Sequence, residues 1–224
     1  MIIFFDLDDT LLDSETAHKK AIQRIISKHS LNININHAIT EWLYISDKYL
    51  KLFFHKKITN SQQRISRIKE LWTIAGQQIT DKEALLNYQE YHQYFLQMCF
   101  PFPETISFFE KNKKNKFGII TNGPIADQTN KLKKSGLIHY FKPIIISEEV
   151  GYSKPQKKNF DIAAERSDEQ INDCIHIGDS YELDYCGATN AGMKAICIDR
   201  KKSGKLLDCN LIHSLNELDT RFQI

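Results

Sequence analysis

The sequence predicts an α/β fold built on a parallel sheet, with an all-helical domain inserted after the first strand. Three observations carry that expectation. Four short apolar runs stop on polar residues: Ile2-Ile3-Phe4-Phe5 before Asp6, Phe117-Gly118-Ile119-Ile120 before Thr121, Pro143-Ile144-Ile145-Ile146 before Ser147, and Cys174-Ile175-His176-Ile177 before Gly178. Helix-like stretches such as 126–135 and 158–166 lie between the later runs, and strand–helix alternation at this spacing implies parallel pairing through right-handed crossovers. Between the first two runs, residues 14–99 hold one glycine, Gly76, and no proline, with apolar residues at helical spacing.

The first run is too apolar for a strand with one wet face and too short to span a membrane, which suits a central strand covered on both sides. Ligands of such sheets bind at the carboxyl ends of the strands. Asp6 and Asp8 are therefore placed where chemistry is expected, and burying them without a compensating cation or donors would be costly. A metal ion is the natural partner. Read alone, Asp6-Leu7-Asp8-Asp9-Thr10 also suits a polar turn with Asp8 or Asp9 capping a helix.

The inserted segment reads as four helices. Ala17, Ala21, Ile22, Ile25 and Ile26 form one stripe; Ile39, Trp42, Leu43, Leu50 and Phe53 form a second; Ile65, Ile68, Leu71, Trp72 and Ala75 a third; Tyr88, Tyr91, His92, Phe95 and Leu96 a fourth. Aromatic stripes at helical spacing build core more often than cofactor sites. The expected division is a core of residues 1–13 and 101–224 with a helical cap of residues 14–100 over the active edge. The crossings fall at 12–16 and 98–104, where Pro101 and Pro103 stiffen the second, and two crossings allow a hinge that admits substrate and then excludes water. From Thr105 the core resumes with a helix; 195–199 and 211–212 are short apolar runs that suit further strands.

Four motifs in order, Asp6-x-Asp8-x-Thr10, Thr121-Asn122-Gly123, Lys154-Pro155 and Gly178-Asp179-x-x-x-x-Asp184, make the chain resemble the haloacid dehalogenase-like hydrolases. The resemblance covers essentially the whole chain and is to the magnesium-dependent phosphatases with a Rossmann-like core and a helical cap. The stretch from Ile119 to Phe160, with Ile146-Ser147-Glu148-Glu149-Val150-Gly151 and Ser153-Lys154-Pro155, looks most like the bacterial pyrimidine 5′-nucleotidase group; N-acylneuraminate-9-phosphatase is a more distant relative.

The resemblance implies that Asp6 is a nucleophile forming an aspartyl-phosphate, and that Asp8 is the acid that protonates the leaving oxygen and then the base that activates water. It implies a Mg2+ ion held by the Asp6 carboxylate, the Asp8 main-chain carbonyl and Asp179, all hard oxygens, with Asp184 as an outer acid that orients bound water or Lys154. Thr121 and Asn122 would offer a hydroxyl and backbone amides to phosphate, Gly123 letting the backbone approach closely. Lys154 would stabilise the phosphoryl group and keep Asp6 from repelling its substrate, and Pro155 suits the first turn of the next helix. The expected substrate is a nucleoside 5′-monophosphate, a pyrimidine one preferred. Sugar-phosphate hydrolysis, phosphomutase chemistry, dehalogenation and a non-catalytic binding role are the alternatives; relatives that attack carbon do not use the second aspartate in this way, and a silent module would be expected to lack one of Asp6, Asp8, Lys154 or Asp179.

Composition sets the surroundings. Lys plus Arg number 30 and Asp plus Glu 28 in 224 residues, a balance that does not favour a nucleic-acid polymer as partner. The basic runs 111–116 and 200–205 fit a helix end and a surface loop. Five cysteines, Cys99, Cys174, Cys186, Cys197 and Cys209, show neither metal-site spacing nor an even count for a disulfide framework, which suits a reducing cytoplasm. No run approaches a membrane helix. The sequence does not set the oligomeric state. In the cap, His55, Lys56, Lys57, Arg64 and Arg67 are polar candidates near helix ends, and Tyr44, Tyr49, Phe53 or Phe54 could stack on a base; none is assigned a specificity role.

Overall fold

A computed structural model of the chain describes residues 1–204 and 209–221. Lys205, at the end of the second basic run, lies outside the described residues, as does the side chain of Phe54.

The apolar runs form one six-stranded sheet, all parallel, from β1 (Ile2–Phe5), β2 (Lys116–Thr121), β3 (Ile144–Ile146), β4 (Cys174–Gly178), β5 (Lys194–Ile198) and β6 (Leu211–Ile212), in the order β3-β2-β1-β4-β5-β6. The α/β class predicted from the apolar runs is the class observed. β1 is central because both of its faces must be covered. Phe5 meets the rings of Phe108, Phe109, Phe117 and Phe141, while Ile2 and Phe4 pack with Ile120, Ile145, Phe160 and Ala163. Successive strand residues point to opposite faces, and each buried phenylalanine contributes on the order of 1.5–3 kcal/mol. The strand order reverses between β1 and β4, so the residues after these two strands share the crevice where doubly wound sheets bind ligands.

Helices α1 (Ser14–Lys28), α2 (Ile35–Phe54), α3 (Asn60–Ile74) and α4 (Asp81–Met98) form one compact unit, Ser14–Cys99; the other is Met1–Asp13 with Phe100–Ile224. Inside the helical unit Trp42 Nε1 donates to the Tyr91 hydroxyl at 3.2 Å, and the Arg67 guanidinium lies over the Trp42 ring at 4.7 Å. Arg64 and Arg67 sit in the middle of α3 rather than near a helix end, and Arg67 is buried. In the sheet unit the chain on either side of the insertion is paired: Asp13 N donates to Phe100 O at 2.9 Å and Leu12 bridges Pro101.

The sheet unit adds α5 (Thr105–Lys111), α6 (Ile125–Lys134), the short α7 (Ser147–Val150), α8 (Lys157–Ser167), a π-helical turn at Tyr181–Cys186, the short α9 (Gly187–Ala191) and α10 (Asn216–Arg221). Two details differ from the sequence reading. Pro155 precedes α8 instead of opening it, because a turn closed by Gln156 N on Ser153 O intervenes. Arg200 is not a solvated member of a basic loop: its guanidinium is largely buried, donates to the Thr10 carbonyl at 3.1 and 2.5 Å and pairs with Glu104, which draws it inward. Among the described residues no helix is long and apolar enough to cross a membrane.

Candidate active site

The loop after β1 is tightly wound. Asp6 N continues the ladder by donating to Ile177 O at 2.8 Å, and the Leu7 carbonyl then accepts from both Leu11 N and Leu12 N at 3.0 Å. Asp9 adopts φ 54°, a left-handed conformation that aspartate tolerates better than most residues. Neither Asp8 nor Asp9 caps a helix, since α1 begins only at Ser14. The turn instead directs polar groups toward the carboxyl edge of the sheet.

The Lys154 ammonium is buried between two carboxylates, 2.6 Å from Asp6 Oδ1 and 2.6 Å from Asp184 Oδ1. Its position is set from its own backbone. The Asn122 side chain accepts from Lys154 N at 2.8 Å and donates to Lys154 O at 3.0 Å, a two-point clamp from the end of β2 onto the loop before α8. The Asn122 side chain is thus committed to holding Lys154. The Thr121 hydroxyl, by contrast, has no protein hydrogen-bond partner among the described residues.

Asp184 is fixed by a second set of contacts. His176 Nε2 donates to its Oδ1 at 2.8 Å and Ser180 N to its Oδ2 at 3.1 Å. The π-turn makes this possible, because Tyr185 N reaches back to Ser180 O and the widened coil folds Asp184 inward. Gly178 is required here: a Cβ on it would lie 2.2 Å from Asp184 Cγ. Asp179 follows β4 and accepts a 3.4 Å hydrogen bond from Thr10 Oγ1.

Asp6, Asp179 and Asp184 each bring a carboxylate oxygen within 4.8 Å of the others. Burial pushes the Asp6 carboxyl up to about 7, with Asp184 and Asp8 adding to the shift and Lys154 opposing it. Asp179 is raised well above the usual range by burial and by the charges of Asp6, Asp184 and Asp9. Burial would raise Asp184 too, but Lys154 and His176 outweigh it and hold that carboxyl well below the usual range. Asp6 and Asp184 share the Lys154 ammonium, Asp8 pairs with Lys131, and Asp179 stands close enough to Asp6, Asp184 and Asp9 to feel their charges. An excess of hard anionic oxygens is the donor set a small divalent cation takes. Asp184 already receives donors on both oxygens, so Asp6 and Asp179 are the carboxylates better disposed to a cation.

Sequence reasoning missed Lys131, Gln128, His176 and Ser147. Lys131 pairs with Asp8, Gln128 Nε2 bonds the Asn122 carbonyl at 3.1 Å, and Ser147 Oγ accepts from Gly123 N at 2.9 Å. The available signal was the spacing of Gln128, Lys131 and Leu132 on one face of a short helix; His176 was hidden inside an apolar strand.

The family model of haloacid dehalogenase-like hydrolases matches residues 1–192. A glyceraldehyde 3-phosphate phosphatase from Methanothermobacter thermautotrophicus is 30% identical over 201 residues, 88% of this chain and 84% of that protein. The pyrimidine 5′-nucleotidase YjjG of Escherichia coli is 30% identical over 229 residues, 97% of this chain and 95% of that protein. In fold, the magnesium-bound crystal structure of YfnB from Bacillus subtilis matches with a TM-score of 0.84 at 24% identity, covering 100% of this chain and 98% of that one. With the family match running through all four motifs, the chain belongs to the haloacid dehalogenase-like hydrolases and is an enzyme of that family.

Proposed function

We propose that the protein is a magnesium-dependent phosphomonoesterase acting through an aspartyl-phosphate on Asp6. The observation that carries this reading is the Asp6–Lys154–Asp184 chain of contacts at the carboxyl edge of β1 and β4. Lys154 holds Asp6 Oδ1, which orients Oδ2 toward an incoming phosphorus. In the first step the Asp6–phosphorus bond forms as the bond to the leaving oxygen breaks, and Asp8 gives that oxygen a proton. In the second step water attacks phosphorus, the Asp6–phosphorus bond breaks, and Asp8 takes the proton from water. Thr121 and Lys154 bind phosphoryl oxygens, while Asn122 serves by clamping the Lys154 backbone.

Asp6, Asp179 and the Asp8 carbonyl would hold Mg2+, with Asp184 outside the coordination shell, orienting Lys154. When bound, the ion supplies charge neutralisation on the phosphoryl oxygens. The substrate is a small phosphate ester.

Within that class we favour a pyrimidine nucleoside 5′-monophosphate, as supported by likeness to a nucleotidase over nearly the full length of both chains. A second reading, a triose or other sugar phosphate, is favoured by equal identity to a glyceraldehyde 3-phosphate phosphatase. The test is a magnesium-containing screen of nucleotides and sugar phosphates ranked by kcat/KM, repeated with excess chelator. We expect uridine or thymidine 5′-monophosphate to lead and chelation to abolish turnover. Sugar phosphates leading clearly would overturn the nucleotide assignment; activity surviving complete metal removal would overturn the magnesium mechanism.

A further inference from the structure

We propose that Lys131, with Gln128 beside it, is a positioning residue for the Asp8 carboxyl during its two proton transfers, an inference that rests on the phosphatase reading above. Both side chains lie on the buried stripe of α6, while Lys133 and Lys134 in the same turn are exposed. Lys131 is 5% exposed and its ammonium pairs with Asp8 Oδ2. Gln128 Nε2 approaches the same oxygen at 3.4 Å and also donates to the Asn122 carbonyl at 3.1 Å. Removing an ammonium from water is costly, and a helix already carrying exposed lysines does not need another one buried for solubility. The cost is met only where the charge acts on a specific partner. Here that partner is the aspartate proposed to carry the proton.

The geometry gives the pair a directional role. A carboxyl whose Oδ2 faces an ammonium and an amide carries a proton on Oδ1, so the two donors fix both the side-chain torsion and the oxygen that exchanges the proton. Gln128 ties this orientation to the phosphate-binding end of β2 through the Asn122 carbonyl. Gly123 leaves the room it needs: with φ at +145°, a Cβ there would lie 2.5 Å from Gln128 Nε2. Each buried lysine thus serves one aspartate of the first motif, Lys154 the nucleophile and Lys131 the acid.

The test compares Lys131→Met, Lys131→Arg and Gln128→Leu with the wild type in the full chain with Mg2+, on two esters of different leaving group. p-Nitrophenyl phosphate releases a phenolate that leaves without help from an acid. Uridine 5′-monophosphate, or glyceraldehyde 3-phosphate if the wild type prefers it, releases an alkoxide that does not. In kcat/KM, which covers the steps through departure of the leaving group, Lys131→Met should fall about 100-fold on the alkyl ester and less than about 10-fold on the aryl ester. Lys131→Arg should recover part of the alkyl-ester loss, and Gln128→Leu should show a smaller loss with the same bias. Equal losses on both esters, or none, would overturn the positioning role and leave the phosphatase reading intact. Wild-type inactivity on both esters would overturn the two together. If Lys131→Met does not fold, the Arg and Gln128 variants carry the same comparison.

Discussion

Asp6 and Asp184 touch the same ammonium yet titrate in opposite senses, which gives the site a recognisable pH signature. A carboxyl raised on folding, as Asp6 is to about 7, holds its proton more tightly in the folded state. It therefore opposes folding progressively as pH climbs from the ordinary aspartate value of about 4 through 7. A lowered one, as Asp184 is, contributes stability that is in place above about pH 4 and lost as pH falls through its folded value. In metal-free buffer the wild-type Tm should fall between pH 5 and pH 8, and Asp6→Asn should flatten that fall, gaining about 1–3 kcal/mol at pH 8 relative to pH 5. Parallel melting curves for the two proteins across this range would contradict the raised Asp6. Millimolar Mg2+ should raise the wild-type Tm at pH 8 and leave that of Asp6→Asn nearly unmoved, while turnover of the variant drops at least about a thousandfold. Removing the shared cation is a different perturbation. Lys154→Met leaves two buried carboxylates facing each other, and a loss of about 3–5 kcal/mol is expected in chemical denaturation near neutral pH.

At the level of elements, what the sequence disclosed and what it hid divide along physical lines. The strands were legible because a strand covered on both faces must be continuously apolar: β1 and β3 end where that run ends, and β2 and β4 go one residue further, to Thr121 and Gly178. The four inserted helices were legible from their stripes. Lys131 was not, because three lysines near the end of α6 look alike in sequence and only packing separates the buried one from its neighbours. His176 was concealed for the opposite reason, a polar ring among isoleucines. The π-turn had no periodic signature, since it alters the coil only between Ser180 and Gly187, and with it the inward turn of Asp184 was invisible. Capping was overlooked as well: Thr59 with Gln62 and Thr80 with Glu83 form reciprocal boxes at the starts of α3 and α4. Thr80→Ala should cost about 1 kcal/mol in denaturant unfolding, with activity of the residual folded protein unchanged.

For the molecule as a whole, the decisive feature is that the chain leaves and rejoins the sheet unit at adjacent, hydrogen-bonded points, Asp13 with Phe100 and Leu12 with Pro101. A short Gly-Ser linker in place of Ser14–Cys99 should therefore yield a sheet unit that folds on its own, checked by a cooperative melt and by retention of the Mg2+-induced rise in Tm; a molten product would contradict it. The same closure bears on the order of events during folding. β1 is the first strand made, yet its partners begin only at Lys116 and Cys174, so the central strand waits while most of the chain emerges. The entropic penalty of closing such a long connection delays pairing. A helical insert, rich in local contacts, can fold before either partner arrives and bring its two ends together. Once it has done so, the connection to be closed is short, and the excursion in the middle of the chain becomes the device that delivers β1 to its place in the sheet.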